Sequence, residues 1–154
     1  MDSLSDATLR DDLKKLEKIR SSSKGQITKA LADALGDVGV SYQEVCEFQK
    51  SLDYHFESLD MKKQLFKENL NQHSIADNYN NIAVTYSKMG DLKNALQYHM
   101  EALNMRKNLI RGVHPYIATA LSNVGVAYDK MSISIIYFEL LKAIAYGKLY
   151  SFFI

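Results

Sequence analysis

The chain repeats itself. Three segments align without gaps: DALGDVGVSY (33–42), DNYNNIAVTY (77–86) and TALSNVGVAY (119–128). Tyr42 to Tyr86 is a step of 44 residues, and Tyr86 to Tyr128 is a step of 42. Behind the first two lies a second matching pair, SLDYHFESLDMKKQL (51–65) and ALQYHMEALNMRKNL (95–109), again offset by 44. In that pair Leu52 aligns with Leu96, Tyr54 with Tyr98, His55 with His99 and Met61 with Met105. Matches this dense at one offset point to duplication of a single structural unit. A unit of this length cannot close a core alone and must stack on its neighbours.

Each unit reads as two helices. In the middle unit Tyr79, Ile82, Ala83 and Tyr86 recur at spacings of three and four, which makes one apolar helix face. Met89-Gly90-Asp91 breaks that pattern: Gly90 supplies a permissive backbone, and Asp91 can cap the helix that follows. Leu92, Ala95, Leu96, His99, Ala102, Leu103 and Leu109 form the second stripe. The chain has a single proline in 154 residues, which suits long helices and weighs against sheet-and-turn architectures. Gly39, Ala83 and Gly125 occupy one equivalent place in the first helices, where a small side chain lets paired helices approach. Tyr42, Tyr86 and Tyr128 fill the space beside them.

This alternation of small and large residues resembles the tetratricopeptide repeat, W-x2-L-G-x2-Y followed by Gly and spaced alanines. Tyr79 stands for the Trp, Ile82-Ala83 for the Leu-Gly, and Tyr86, Gly90, Ala95 and Ala102 follow in register. The long step, together with NNIAVTYSKMGDLKNAL (80–96), EALNMRKNL and HPYIATALSNVGVAY (114–128), resembles the kinesin-light-chain type of repeat. The likeness covers about residues 31–131. It implies an all-α right-handed superhelix of tandem antiparallel helix pairs, about two and a half repeats, that binds a protein or peptide partner and catalyses nothing.

In such a stack the first helices line the inner wall. Their residues off the packed stripe are Asp33, Gly36, Val40, Gln43 and Glu44 in the first unit. The second contributes Asp77, Asn80, Val84, Ser87 and Lys88, and the third Thr119, Ser122, Val126, Asp129 and Lys130. Three equivalent valines would give a groove an apolar floor, with Asn80, Asn81, Ser122 and Asn123 offering amide and hydroxyl groups beside it. An asparagine side chain can pair with both the N–H and the C=O of an extended peptide. The resemblance adds that asparagines of this Asn-Asn pair and basic residues on the same face contact peptide cargo. The expected peptide-binding set is therefore Asn80, Asn81, Val84, Lys88, Ser122, Asn123, Val126 and Lys130. An alternative stays open for Asn81, Asn123 and Asp37, which could bond between neighbouring helices instead. Gly36, Val40, Val84 and Val126 stand where a clamp for a terminal carboxylate would need polar or basic groups, so that reading is rejected.

Other chemistry finds little footing. Nineteen basic and eighteen acidic side chains leave a net charge of +1, far from the basic excess that phosphate binding requires, so no nucleic acid is expected. With one cysteine, Cys46, no internal disulfide can form, which fits a reducing, cytoplasmic setting. Cys46 reads as a packing residue at a turn. His55 and His99 fall at equivalent repeat places and read as packing residues, not metal ligands. Neither HExxH nor Cys-x-x-Cys occurs, and no cofactor is expected. The N-terminus is polar and acidic, unlike a signal peptide. The tail from Ile133 to Ile154 is apolar but carries Glu139, Lys142 and Lys148, so no membrane span is expected.

The expected organisation is an N-terminal helix and flexible break over 1–25, repeats over 26–131 (about 31–74, 75–115 and 116–131 onward), and a divergent apolar C-terminal helix over 132–154. The N-terminal helix, with Leu13, Leu16 and Ile19 in phase, suits either the second helix of an earlier unit or a short coiled coil. The C-terminal stretch, with Ile136, Leu140, Leu141 and Ile144 in phase, suits either a truncated or altered repeat array or an end that pairs with another chain. The second option makes the main rival to peptide binding: a segment of a larger array that assembles through apolar ends.

Overall fold

In the computed structural model, which describes residues 4–66, 72–109 and 115–130, every element is a helix. They are α1 (Leu4–Ser23), α2 (Lys29–Glu44), α3 (Phe48–Leu65), α4 (Gln72–Met89), α5 (Leu92–Leu109) and α6 (Pro115–Lys130). The turns between α2 and α3 and between α4 and α5 are too short for anything but antiparallel neighbours. The pairs α2–α3 and α4–α5 are the first and second units, and α6 opens the third. The expected C-terminal helix over 132–154 lies outside the described residues.

Both tight turns follow one scheme. The Glu47 N–H donates to Tyr42 O at 2.9 Å, and the Asp91 N–H donates to Tyr86 O at 3.0 Å. Each reaches back five residues, as a helix end does when the residue before the donor turns left-handed. That residue is Gly90, with φ +83°, in the second unit and Cys46, with φ +62°, in the first. Asp91 then caps α5, its Oδ1 accepting from Asn94 N at 3.1 Å. Thr28 caps α2 in the same way, accepting from Leu31 N at 3.1 Å. The expected packing role for Cys46 is overturned: its thiol is exposed, and what the site requires is a backbone conformation.

Three apolar clusters run along the stack, one at each junction. Leu16 of α1 meets Leu31, Ala34, Leu35 and Val38 of α2, with Tyr42 and Tyr54 against them. Leu52 and Leu59 of α3 meet Ile75 and Ile82 of α4, with Tyr79, Tyr86 and Tyr98. Leu103 of α5 meets Ala120 and Val124 of α6, with Leu96 and Tyr128. Each cluster joins the second helix of one unit to the first helix of the next, so burial that stabilises one unit requires the other. The tyrosines wedge as anticipated: Tyr42 stacks on Tyr54 (5.3 Å, 17°) and Tyr86 on Tyr98 (5.6 Å, 6°). Burial raises the hydroxyl pKa of Tyr54 and of Tyr86 above the usual phenol value.

α1 packs on α2 as α3 packs on α4 and α5 on α6, so it holds the place of a second helix ahead of the first unit. Its other side carries Asp6, Arg10, Asp11, Lys14 and Lys18, all exposed. Ser21 to Ser23, expected in the flexible break, belong to α1. Their hydroxyls donate to Glu17 O, Ile19 O and Arg20 O at 2.9 Å each, and the helix yields only at Lys24 and Gly25, both left-handed. Among the described residues, no helix is long and apolar enough to cross a membrane.

Candidate functional site

The eight residues expected to bind peptide fall on α4 and α6, which lie in successive units. Direct bonds connect the first helices along the stack. Gln43 of α2 donates to Thr85 Oγ1 of α4 at 2.8 Å. Asn123 Nδ2 of α6 donates to Asn80 Oδ1 of α4 at 2.6 Å, and Lys130 Nζ donates to Ser87 Oγ at 3.1 Å. These bonds hold α2, α4 and α6 in a row, a wall one helix wide per unit.

On this wall the valines stand in line. Val40 and Val84 are half-buried, while Val126 is 52% exposed. An apolar side chain open to that extent, in register with two more, makes an unfilled strip. Lys88, Ser122 and Lys130 flank it in solvent, and Asn80, Asn81 and Asn123 are half-buried beside it. Asn123 and Asn80 are bonded to one another, and Asp37, at the same repeat place as Asn123, meets Lys15 of α1 at 2.9 Å. Both residues bond back to the preceding unit. The backbone carbonyl of Asn81 accepts from Thr85 Oγ1 at 3.0 Å.

Four residues expected off the packed stripe are engaged by it. Gly36 is buried; a Cβ there would lie 3.4 Å from Ser58 Oγ. Gln43 is buried through its bond to Thr85. Asp77 pairs with Arg106 of α5 at 2.6 Å, and Asp33 pairs with Lys62 of α3 at 3.5 Å, where the two cations are 9% and 10% exposed at their side chains. The reason is geometric. A first helix is gripped by its own partner, by the second helix of the preceding unit and by the neighbouring first helix. Only a narrow strip of it stays open, and a helical wheel with a single apolar face draws that strip too wide.

A buried polar cluster at the junction of the first two units carries no sequence motif. Thr85, fully buried, accepts from Gln43 and meets Ser51 Oγ at 3.2 Å. Asn78, 1% exposed, donates to the carbonyl of His55 at 3.0 Å. The repeat alignment held one hint of this. Thr85 falls between Ser41 and Ala127, and Asn78 between Ala34 and Ala120, so two polar residues interrupt otherwise small positions. Satisfied in this way, such groups fix one register between units.

Residues 74–132 match the family profile described as Tetratricopeptide repeat. No curated protein matches the chain in sequence. The structure is similar to BtubC (BKLC) of P. vanneervenii, with a TM-score of 0.67 and 21% identity over 85% of this chain. The match takes in 53% of that protein, so this chain spans about half its length. It is also similar to a kinesin-light-chain-type protein of Podosopora anserina with nearly identical TPR-like repeats, with a TM-score of 0.71 and 14% identity over 91% of this chain and 68% of that one. With the helix pairs, the junction clusters and the long repeat step, these likenesses give the chain a fold of the tetratricopeptide, kinesin-light-chain-like type and mark residues 74–132 as a tetratricopeptide repeat.

Proposed function

We propose that this chain is a non-catalytic scaffold that holds an extended peptide segment of a partner protein along the strip formed by α2, α4 and α6. Tetratricopeptide repeats as a family suggest protein partners; the peptide and its seat are the proposal. The observation that carries it is the valine line. Val126 is 52% exposed in register with Val84 and Val40, and amides and lysines border the strip. Valine side chains there would take up apolar groups of a bound segment. Asn80, Asn81 and Asn123 would answer its backbone, and Lys88 and Lys130 with Ser122 would meet polar side chains at the rim. Asn80 and Asn123 would exchange their mutual bond for bonds to the peptide, at little net cost.

The test is a peptide-array screen on the whole chain, with Asn80→Ala, Asn81→Ala and Val126→Glu as controls. Affinity for any captured peptide should fall roughly tenfold or more for Val126→Glu, since a carboxylate would be forced against apolar groups. If all three variants keep every interaction detected with the unaltered chain, the strip is not the binding site. Self-assembly through the apolar stretch 132–154 is the competing role. It would show as a solution size that grows with protein concentration.

A further inference from the structure

His55 is completely buried, and neither its Nδ1 nor its Nε2 has a hydrogen-bond partner among the described residues. Its ring lies against α2 at Gly39, so closely that a Cβ on that glycine would come within 2.6 Å of Nδ1. One repeat later, at the same place, His99 is 5% exposed and its Nδ1 likewise has no partner. A buried polar atom left unsatisfied is rare in a folded protein. Here it occurs at equivalent places in two successive units.

We propose that His55 and His99 are a matched pair of acid-sensitive sites through which mildly acidic solution loosens the helix pairs of the first and second units.

The geometry supplies the mechanism. A neutral imidazole fits as a flat, mostly apolar ring. A protonated one would bring a positive charge and a second N–H donor into buried space where, among the described residues, neither ring nitrogen of His55 and not the Nδ1 of His99 meets an acceptor. The surrounding charge has the same sign. Lys62, seven residues along α3, acts on His55; Asp33 of α2 is engaged by Lys62 and also by Lys29. From α4 the group facing this stretch is the neutral Asn78, whose amide donates to the His55 carbonyl. Arg106, seven residues along α5, and Lys130 of α6 act on His99, while Asp77 of α4 is engaged by Arg106. Burial first, and these cations second, hold each imidazole at about 4 instead of the usual 6.5.

The direction follows from linkage. A histidine whose folded pKa is depressed leaves the unfolded chain to take up the proton first. The stability it supports is whole above about 6.5 and is lost progressively as pH falls toward about 4. At about pH 5 each site should lower the folding constant roughly 30-fold relative to about pH 7.5. Because the sites recur in phase with the repeat, both helix pairs respond together, and with them the row formed by α2, α4 and α6.

The experiment is urea unfolding of the whole chain, followed by far-ultraviolet circular dichroism, between about pH 7.5 and 5. The variants are His55→Leu, His99→Leu and the double change, since leucine fills the space without titrating. Each single variant should lose about 30-fold less folding constant over that range than the unaltered chain, and the double variant about a thousandfold less. An unchanged pH dependence in the double variant overturns the proposal. Should leucine prevent folding, the ring resonances of His55 and His99 in the unaltered chain decide the matter. Neutral rings at about pH 5.5 support the proposal, and midpoints near the ordinary histidine value overturn it.

Discussion

The first and second units share one backbone plan and differ in how each slot is filled. Where the second unit has Ala95 and Ala102, almost fully buried, the first has Ser51 and Ser58, also buried. The hydroxyls are tolerated because each finds a partner: Ser58 donates to the Ala32 carbonyl at 2.7 Å, and Ser51 meets Thr85. Where the second unit has Ala83 the first has Gly39, whose bareness lets the His55 ring seat against α2. At the turn, Gly90-Asp91 combines a free left-handed residue with a capping carboxylate. Cys46-Glu47 in the first unit has a left-handed cysteine and no side-chain cap bond at α3. A repeat position thus specifies a volume and a backbone angle, and leaves polarity open wherever a neighbour can satisfy it.

The largest test of this comparison is in the clusters. Val38, Ile82 and Val124 share one repeat place, and Ile82 is fully buried between α3 and α4. Ile82→Ala should cost about 4 kcal/mol and Val38→Ala about 2–3, by urea unfolding, the difference reflecting the extra methylene and its cavity. Equal losses would mean that the two junctions are not packed alike. Next comes Gly39→Ala, where an added methyl meets the His55 ring at 2.6–3.0 Å. A net loss of about 2 kcal/mol is expected there despite alanine's better helix propensity, and a gain in stability would contradict the packing of that pair.

The ion pairs should separate the units more finely. Asp77→Asn removes the carboxylate charge that lies 2.6 Å from a nearly buried Arg106 and should cost about 1–2 kcal/mol in thermal or urea unfolding. Asp33→Asn should cost less, about 0.5–1 kcal/mol, because the Lys62 contact is longer and Asp33 is shared with exposed Lys29. The reverse order would show that the looser pair carries more. An effect of similar size runs the other way: Cys46→Gly should stabilise by about 0.5–1 kcal/mol by relieving the left-handed cysteine, raising the melting temperature by a few degrees. Gly90→Ala should lose a similar amount. If Cys46→Gly destabilises, the thiol contributes something that its exposed position does not show.

Much of the fold was legible because duplication exposes its own rules. Repetition at 44 and 42 residues located the helix pairs, the turn at Gly90-Asp91 and the tyrosine wedges, since each depends on local spacing and residue size. The places where reading failed share a cause. Gly36, Gln43, Asp33 and Asp77 looked free on a single helix, yet they are taken by side chains 22 or more residues away in sequence, from α3, α4 and α5. Cys46 looked like packing because cysteine is usually buried, whereas here the turn geometry set the position and left the thiol outside.

The sequence alone determined that this chain is a stack of helix pairs, with apolar stripes that recur in phase and small residues where helices touch, because periodicity and side-chain volume are local properties. Only the tertiary structure decided which polar residues face the strip and which are spent holding the stack. Asn123 meets Asn80, Gln43 meets Thr85, and both histidines are buried, with neither ring nitrogen of His55 and not the Nδ1 of His99 bonded among the described residues. The reason is that a hydrogen bond or a desolvated ring depends on what a second and third helix bring to it, and no helix carries that information about its neighbours.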